Sequence, residues 1–422
     1  MENTLTRLQY QRYAITIHAI CVLATAIIIA LIFWALLPES FRRDDSTDYL
    51  YFYEPVARNL ILGNGVTRSN IELAIQNPPG YPILLAVVFE LARILQLPES
   101  LLHSLFTLLS LGLSSMFVFL LSRSIWCSLR AGWISALFFM TYPFILWLAQ
   151  QPASEIPFMV FFYACLVAFW RGLQSRRHAW LFFVLAGVLA GLAMLVRGIA
   201  IGLAVMLCCL LLVLRQVRFK QRLVLASLLL LANCVTLLPW QGYVYHHTGE
   251  FVLLGTNGVP SMRDGLTFAA ISKDYRVDYG LPPDLVALQT QLAQELSSAD
   301  TMSSIVQVIS GHLAAQPTMV VKLYLLKLAR AWYGTDSGNL ESAILLVQLL
   351  YGIVISLACV TLWRHRAHHP GLLLFVWSIV VYFWIMTTLV LSILRYMVPT
   401  FGLLFLLLPG LVQYLLPRLA RH

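Results

Sequence analysis

One stretch near the start of the chain concentrates the residues that could do chemistry. From Glu39 to about Pro82 it reads ESFRRDDSTDYLYFYEPVARNLILGNGVTRSNIELAIQNPPGYP. Asp44, Asp45 and Asp48 stand beside Arg42 and Arg43, ahead of an aromatic run that includes Tyr49, Tyr51 and Tyr53. A carboxylate held at an apolar boundary has its pKa raised toward working pH, which suits it to take a proton as a general base. Asp48 is the first candidate, Asp45 the second and Asp44 the third. The plainer alternative is that they cap the helix starting near Tyr49, where an acid contributes about 0.3–1 kcal/mol.

Cations that could meet an anion are fewer. Arg197 and Arg395 each stand at the end of an apolar run, where an ionisable group is costly without a partner. A guanidinium there can grip a phosphate with two donors, or simply snorkel to water. Arg58, on the helix after the aspartates, is a third candidate. Glu155 is either an ordinary turn acid or the group that orients one of these arginines or binds a polar substrate. Tyr53 and Tyr81 could line such a site, although aromatics such as Trp240, Tyr243 and Tyr245 also form an interfacial belt. Adjacent His246 and His247 cannot both readily face one ion, so no metal ligands are assigned.

The elements that position these groups follow from composition. The 422-residue chain is 60% hydrophobic and 11% charged, with a mean hydropathy of +0.80. No soluble fold hides that much apolar surface, so the composition implies an all-α polytopic membrane protein. The apolar run from about Ala14 to Leu37 is too long for a cleavable signal. The seven cysteines lie mostly inside apolar runs, as small core residues rather than disulfides or metal ligands. Nothing points to nucleic acid.

Basic residues cluster at Arg7/Arg12, Arg123/Arg130, Arg171/Arg176/Arg177, Arg215/Arg218/Lys220/Arg222, Arg364/Arg366 and Arg418/Arg421. If all are cytoplasmic, an even number of crossings separates each from the next. The spans are then 14–37, 101–122, 131–149, 153–170, 181–196, 199–214, 223–243, 342–363, 371–392 and 397–416, about ten in all. The charged apolar stretches 81–96 and 318–335 break that alternation and are expected as juxtamembrane helices on the outer side. All acidic residues except Glu2 then fall outside. Residues 1–422 form a single integral-membrane domain, with a first outer loop 38–100, a long outer loop 244–341 and a helix near 285–312.

Several motifs recur in this order on the outer face. They are Tyr53, Ala57, Asn59, Leu60, Gly63 and Gly65; Pro78-Pro79-Gly80-Tyr81; Tyr142-Pro143 with Ala153-Ser154-Glu155; Gly187, Gly191 and Arg197; Leu238-Pro239-Trp240; Gly249, Phe251 and Val252 with Thr256-Asn257-Gly258; and Arg395-Tyr396 with Pro399. Together they resemble the GT-C superfamily of integral-membrane glycosyltransferases, in its protein mannosyltransferase and aminoarabinose transferase branch. The resemblance covers most of the chain. It implies an inverting hexosyl- or pentosyltransferase that takes a sugar from a polyprenyl-phosphate-linked donor. The acceptor would be a lipid, a glycan or a protein, met among membrane lipids on the extracytoplasmic face of a bacterial inner (plasma) membrane. In that reading an aspartate is the base, Arg197, Arg395 and Arg58 hold the donor phosphate, and Glu155, Tyr53 and Tyr81 bind substrate. The family spacing is Asp-x3-Tyr-x3-Ala. Asp48 to Tyr53 is one residue longer, and Asp45 to Tyr49 lacks the downstream Ala, so the base stays open among the three. A divalent cation is the one cofactor the resemblance leaves room for; Gln76 and Asn77 stand where some relatives carry a metal-binding Glu. The competing readings are a polysaccharide polymerase or ligase using lipid-linked oligosaccharide, and a transporter or lipid flippase. The second would call for mid-membrane charges and a repeat, and the chain has neither.

Overall fold

Among the described residues eight helices are long and apolar enough to cross a bilayer, whose hydrocarbon core of about 30 Å takes about 20 residues. The computed structural model describes residues 2–39, 48–68, 72–175, 177–214, 218–270, 280–365 and 371–415. In chain order the helices are α1 (Glu2–Leu36), α2 (Glu54–Ile61), α3 (Gly80–Leu95), α4 (Glu99–Trp126), α5 (Leu129–Met140), α6 (Pro143–Leu148), α7 (Glu155–Gln174), α8 (Ala179–Val196), α9 (Leu203–Val213) and α10 (Phe219–Thr248). After them come α11 (Gly258–Leu266), α12 (Pro283–Glu295), α13 (Met302–Ala315), α14 (Pro317–Arg330), α15 (Glu341–Arg364), α16 (Leu372–Leu389), α17 (Leu394–Met397), α18 (Phe401–Phe405) and α19 (Leu408–Leu415). The last three follow one another closely as a broken span, Leu394–Tyr414. Among the described residues the only β pairing is an isolated bridge between Thr67 and Leu73.

Contacts fix which end of the bundle each helix reaches. Glu155 at the start of α7 pairs with Arg197 just past α8 and with Arg395 at the start of the last span. The Tyr243 hydroxyl near the end of α10 accepts from the Val66 amide at 3.0 Å. At the opposite end, Ser124 near the end of α4 donates to Gln174 at the end of α7, 2.8 Å away. The segment between α4 and α7 must therefore traverse the bundle, and so must the one between Arg197 and α10. These are α5 with α6, and the short run Gly198–Val213. They bring the passes among the described residues to ten, with the start of α1 and the end of α19 on the side away from the Glu155 cluster. Neither is a single long helix. Pro143 has no amide hydrogen to donate and disfavours helix at the residue before it, so the first breaks at Tyr142. Tyr142 then stacks on Phe401 at 4.3 Å and its hydroxyl accepts from Gln348 at 2.7 Å.

Burial ranks the passes. The last span is the innermost, with 78% of its apolar window buried, whereas α15 at 17% and α1 at 22% present most of their surface to lipid. An aromatic spine from α7 meets α16: Phe162 packs edge-on against Phe383 at 5.3 Å, and Phe169 lies parallel to Phe375 at 6.1 Å. Helices α8 and α10 approach closely because a Cβ on Gly187 would stand 2.2 Å from the Leu229 carbonyl oxygen, and one on Gly191 would stand 2.7 Å from Thr236. Small residues four apart are how membrane helices pack without a hydrophobic driving force.

The described residues between 249 and 340 gather at the Glu155 end. There α11, α12, α13 and α14 form a small second core around Leu266, Leu288, Leu292, Ile305 and Leu323. The helix expected near 285–312 is two helices. It breaks at Ala299–Thr301, where the Thr301 hydroxyl accepts from the Ser304 amide and starts the second. The stretches expected as juxtamembrane helices are α3 and α14, and neither traverses the bundle. A topology experiment follows. Thr290→Cys and Glu72→Cys should react with an impermeant thiol reagent from the same side, and Arg177→Cys only from the other. Labelling of Thr290→Cys and Arg177→Cys from one side would overturn the ten-pass path.

Candidate active site

The first loop reaches the bundle through a π-helical turn, Tyr49–Tyr53, that runs directly into α2. Such turns re-aim side chains and recur at functional sites. Asp48 precedes this turn with helical backbone angles and makes no capping hydrogen bond. Its carboxylate instead faces Arg395, with Oδ2 3.7 Å from Nη2. Asp44 and Asp45 lie outside the described residues.

Glu155 opens α7 and is fully buried. One of its oxygens, Oε1, accepts from Arg197 Nη1 and from Arg395 Nε. The other, Oε2, is buried without a hydrogen-bond partner. Arg197, 8% exposed, also donates to the Ser154 hydroxyl at 3.2 Å. The Tyr396 ring lies near both cations, 4.8 Å from the Arg197 guanidinium carbon and 6.0 Å from that of Arg395. Arg395 spends only its Nε on Glu155. Its two terminal nitrogens face Asp48 at 3.7 Å and Asp336 at 3.6 Å, both beyond hydrogen-bond length. Among the described residues this fork is the part of the cluster without a close partner.

The expected site residues divide. Asp48, Glu155, Arg197 and Arg395 meet in this cluster. Tyr53 is beside it: its hydroxyl lies near Ser154, and burial, with the Asp48 charge adding, pushes its phenol up to about 12. Tyr81 lies one layer below, fully buried, packed edge-on against Tyr53 at 4.9 Å, with its hydroxyl 3.4 Å from His103. Arg58 is engaged elsewhere. Its Nη2 bonds Glu54 at 2.7 Å and Glu99 at 2.9 Å, and its guanidinium lies over Phe89. Among the described residues no group of three or more His, Cys, Asp or Glu is placed to hold a metal ion.

Asp336 is the cluster member that the motifs do not mark. Its signal is the one that singled out the first loop, an acid among turn residues (Gly334-Thr335-Asp336-Ser337-Gly338) just ahead of a long apolar run. The 331–340 loop is tied down at several points. Arg330 pairs with Glu341 at 2.5 Å, the Thr335 amide donates to the same carboxylate at 2.9 Å, and the Leu394 amide donates to the Gly334 carbonyl at 2.8 Å. The Pro-Pro-Gly-Tyr motif has a packing reason. A Cβ on Gly80 would stand 2.5 Å from the Leu195 carbonyl oxygen, so only glycine lets α3 start against the end of α8, two residues before Arg197.

Comparison with known proteins agrees with this architecture. Residues 76–240 match the family model described as dolichyl-phosphate-mannose-protein mannosyltransferase. That segment contains Tyr81, Glu155 and Arg197. Among solved structures the chain is similar to the archaeal oligosaccharyltransferase AglB from Archaeoglobus fulgidus in complex with an inhibitory peptide and a dolichol-phosphate. The identity is 13% and the TM-score 0.52, over 95% of this chain and 52% of that one. The apo form of the Archaeoglobus fulgidus oligosaccharyltransferase gives 13% identity and a TM-score of 0.53 over the same shares. ArnT from Cupriavidus metallidurans, bound to undecaprenyl phosphate, is 15% identical with a TM-score of 0.45, over 94% of this chain and 77% of that one. No curated protein sequence matches. The chain spans about half the length of the oligosaccharyltransferases it resembles, and at these identities the likeness is one of fold. The family match is confined to residues 76–240, and the likeness to the oligosaccharyltransferases is one of helical architecture.

Proposed function

We propose that this protein transfers a sugar from a polyprenyl-phosphate-linked donor to an acceptor on the extracytoplasmic face of the membrane, with Asp48 as general base. The observation that carries the reading is the Arg395 fork. A buried Glu155 fixes this cation beside Arg197 at one end of the bundle, and its two terminal nitrogens make no close bond. A guanidinium held this way suits a phosphate at the membrane surface. Asp48 stands on the edge of the same fork, where it can take the proton of an acceptor hydroxyl as that oxygen attacks C1. The prenyl phosphate then leaves with its negative charge against the arginines, and the anomeric configuration inverts. A relative of the same fold has been solved with a dolichol-phosphate, which supports a lipid phosphate as the group bound here. The side of the membrane rests on the basic clusters, whose described members such as Arg123, Arg171 and Arg364 lie at the other end of the bundle.

The test is direct. Membranes containing the protein are supplied with radiolabelled polyprenyl-phosphate monosaccharides and, separately, lipid-pyrophosphate oligosaccharides. Label should pass from a monosaccharide donor into lipid, glycan or protein. Transfer from the oligosaccharide donors alone would replace this reading with the polymerase or ligase alternative. Arg197→Ala and Arg395→Ala should each weaken use of the donor tenfold to a hundredfold, on the order of 1.5–3 kcal/mol for a charge-assisted bond. Lysine replacements should recover part of that. Unchanged donor kinetics in both alanine variants, at normal protein level, would place the phosphate elsewhere.

A further inference from the structure

The charges of the cluster do not balance. The guanidiniums of Arg197 and Arg395 face the carboxylates of Glu155, Asp48 and Asp336. Arg330 adds nothing net, because Glu341 pairs with it at 2.5 Å. Tyr396, which also feels the Asp336 charge, is a neutral ring near both arginines. Arg42, Arg43, Asp44 and Asp45 of the preceding loop sum to zero in sequence. Among the described residues the site therefore has one negative charge too many before any substrate arrives. A polyprenyl-phosphate sugar is a phosphodiester and brings one more. Seated on the Arg395 fork, it would lie between Asp48 and Asp336, and two carboxylates flanking an anion oppose its binding.

We propose that Asp336 is a phosphate-binding residue that works in its protonated form: it takes up a proton as the donor settles on Arg395 and donates it in a hydrogen bond to a phosphate oxygen. The proton comes from water, and no covalent bond to the sugar is made or broken in this step. The inference rests on the reading that Arg395 receives the donor phosphate. Three observations select Asp336 over its neighbours. Glu155 is gripped by both guanidiniums and closed to solvent. Asp48 must stay ionised to act as base. Asp336 meets Arg395 only at 3.6 Å, without a hydrogen bond, on a loop whose anchors aim its side chain at the fork. Desolvation by the surrounding protein biases its carboxyl upward, Arg395 pulls it back, and Asp48 and Glu155 add to the rise. The side chain is 59% exposed, so water tempers the bias in the empty site, and the arriving phosphate supplies the rest.

The sign follows from linkage. If the loaded site holds one more proton than the empty one, binding strengthens as pH falls and weakens as pH rises. The probe is farnesyl methyl phosphate, a phosphodiester with no proton to lose in the working range, titrated into the full chain in lipid nanodiscs from mildly acidic to mildly alkaline pH. The wild-type Kd should weaken as pH rises, with a slope approaching about tenfold per pH unit, the limit for one proton. Asp336→Asn, which keeps a donor and cannot ionise, should hold the tight, low-pH affinity across the range. Asp336→Ala should bind weakly and independently of pH. Wild-type slope retained in Asp336→Asn, a slope lost in Asp48→Asn instead, or a flat wild-type profile would each overturn the proposal. In those cases binding that is lost in Arg395→Ala leaves the phosphate reading standing. Binding indifferent to Arg395→Ala, or no binding to the wild-type protein, would remove that reading and this inference together.

Discussion

Asp48→Asn should abolish sugar transfer while leaving the protein folded and the donor bound. Asparagine keeps the size and hydrogen-bonding capacity of aspartate and cannot accept a proton from the acceptor. It also caps a helix about as well as aspartate does. Asp48 makes no capping bond, and its carboxylate stands 3.7 Å from Arg395, so a loss of turnover in this variant cannot be traced to a lost cap. General base catalysis typically contributes about 10²–10⁴-fold, and a fall of that size in kcat, with donor binding retained or tightened by loss of a carboxylate beside the phosphate, is the expected result. The same change at Asp45 and Asp44 should have smaller, graded effects. Near-normal turnover in Asp48→Asn with a dead Asp45→Asn would move the base three residues upstream and leave the reaction class intact. Activity in all three would deprive the mechanism of its base and reopen the transporter reading.

The cluster was partly legible because its members obey a positional rule. Arg197, Arg395 and Glu155 are ionisable groups at the ends of apolar runs, where only a partner or a function justifies them. The rule marks candidates but not their connections. No spacing in the chain predicts that Glu155 and Arg395, 240 residues apart, share one carboxylate oxygen with Arg197. Asp336 shows the limit of motif reading, since its turn-rich setting is visible and its aim at Arg395 comes from the Glu341 and Leu394 anchors, which are tertiary. Arg58 shows the converse. Its place on α2 suggested a free cation, and Glu99 at the start of α4 engages it across 41 residues. The passes were counted from charge, and the ten-pass path agrees with that count. Hydropathy could not show that the pass at 131–149 breaks, because Tyr142-Pro143 interrupts the backbone without interrupting the apolar run. The split at 299–301 is similar: Thr301 restarts a helix through a side-chain cap that composition alone does not distinguish from an interior threonine.

Glu155→Gln should be the most damaging single change to the architecture of the site. The carboxylate is fully buried, and one oxygen accepts from two guanidiniums. Glutamine preserves volume and leaves an oxygen to accept one of those bonds, but removes the charge that holds Arg197 and Arg395 together. Arg197 is 8% exposed, so it cannot simply be rehydrated in place. Breaking a buried ion pair by removing one partner costs about 3–5 kcal/mol, because a buried charge is left uncompensated. The expected readings are a clearly lowered unfolding midpoint in detergent and weakened binding of a prenyl phosphate, since the fork of Arg395 loses the contact that fixes it. Transfer should fall at least as far as in Arg395→Ala. A second variant separates folding from function. Glu155→Gln with Arg197→Gln removes a charge of each sign, so it should recover part of the stability lost in Glu155→Gln alone without recovering donor binding. Recovery of both would mean that Arg197 serves only to neutralise Glu155. A Glu155→Gln protein as stable as wild type and equally able to bind the phosphate would show that the carboxylate neither holds the arginines nor prepares them for an anion.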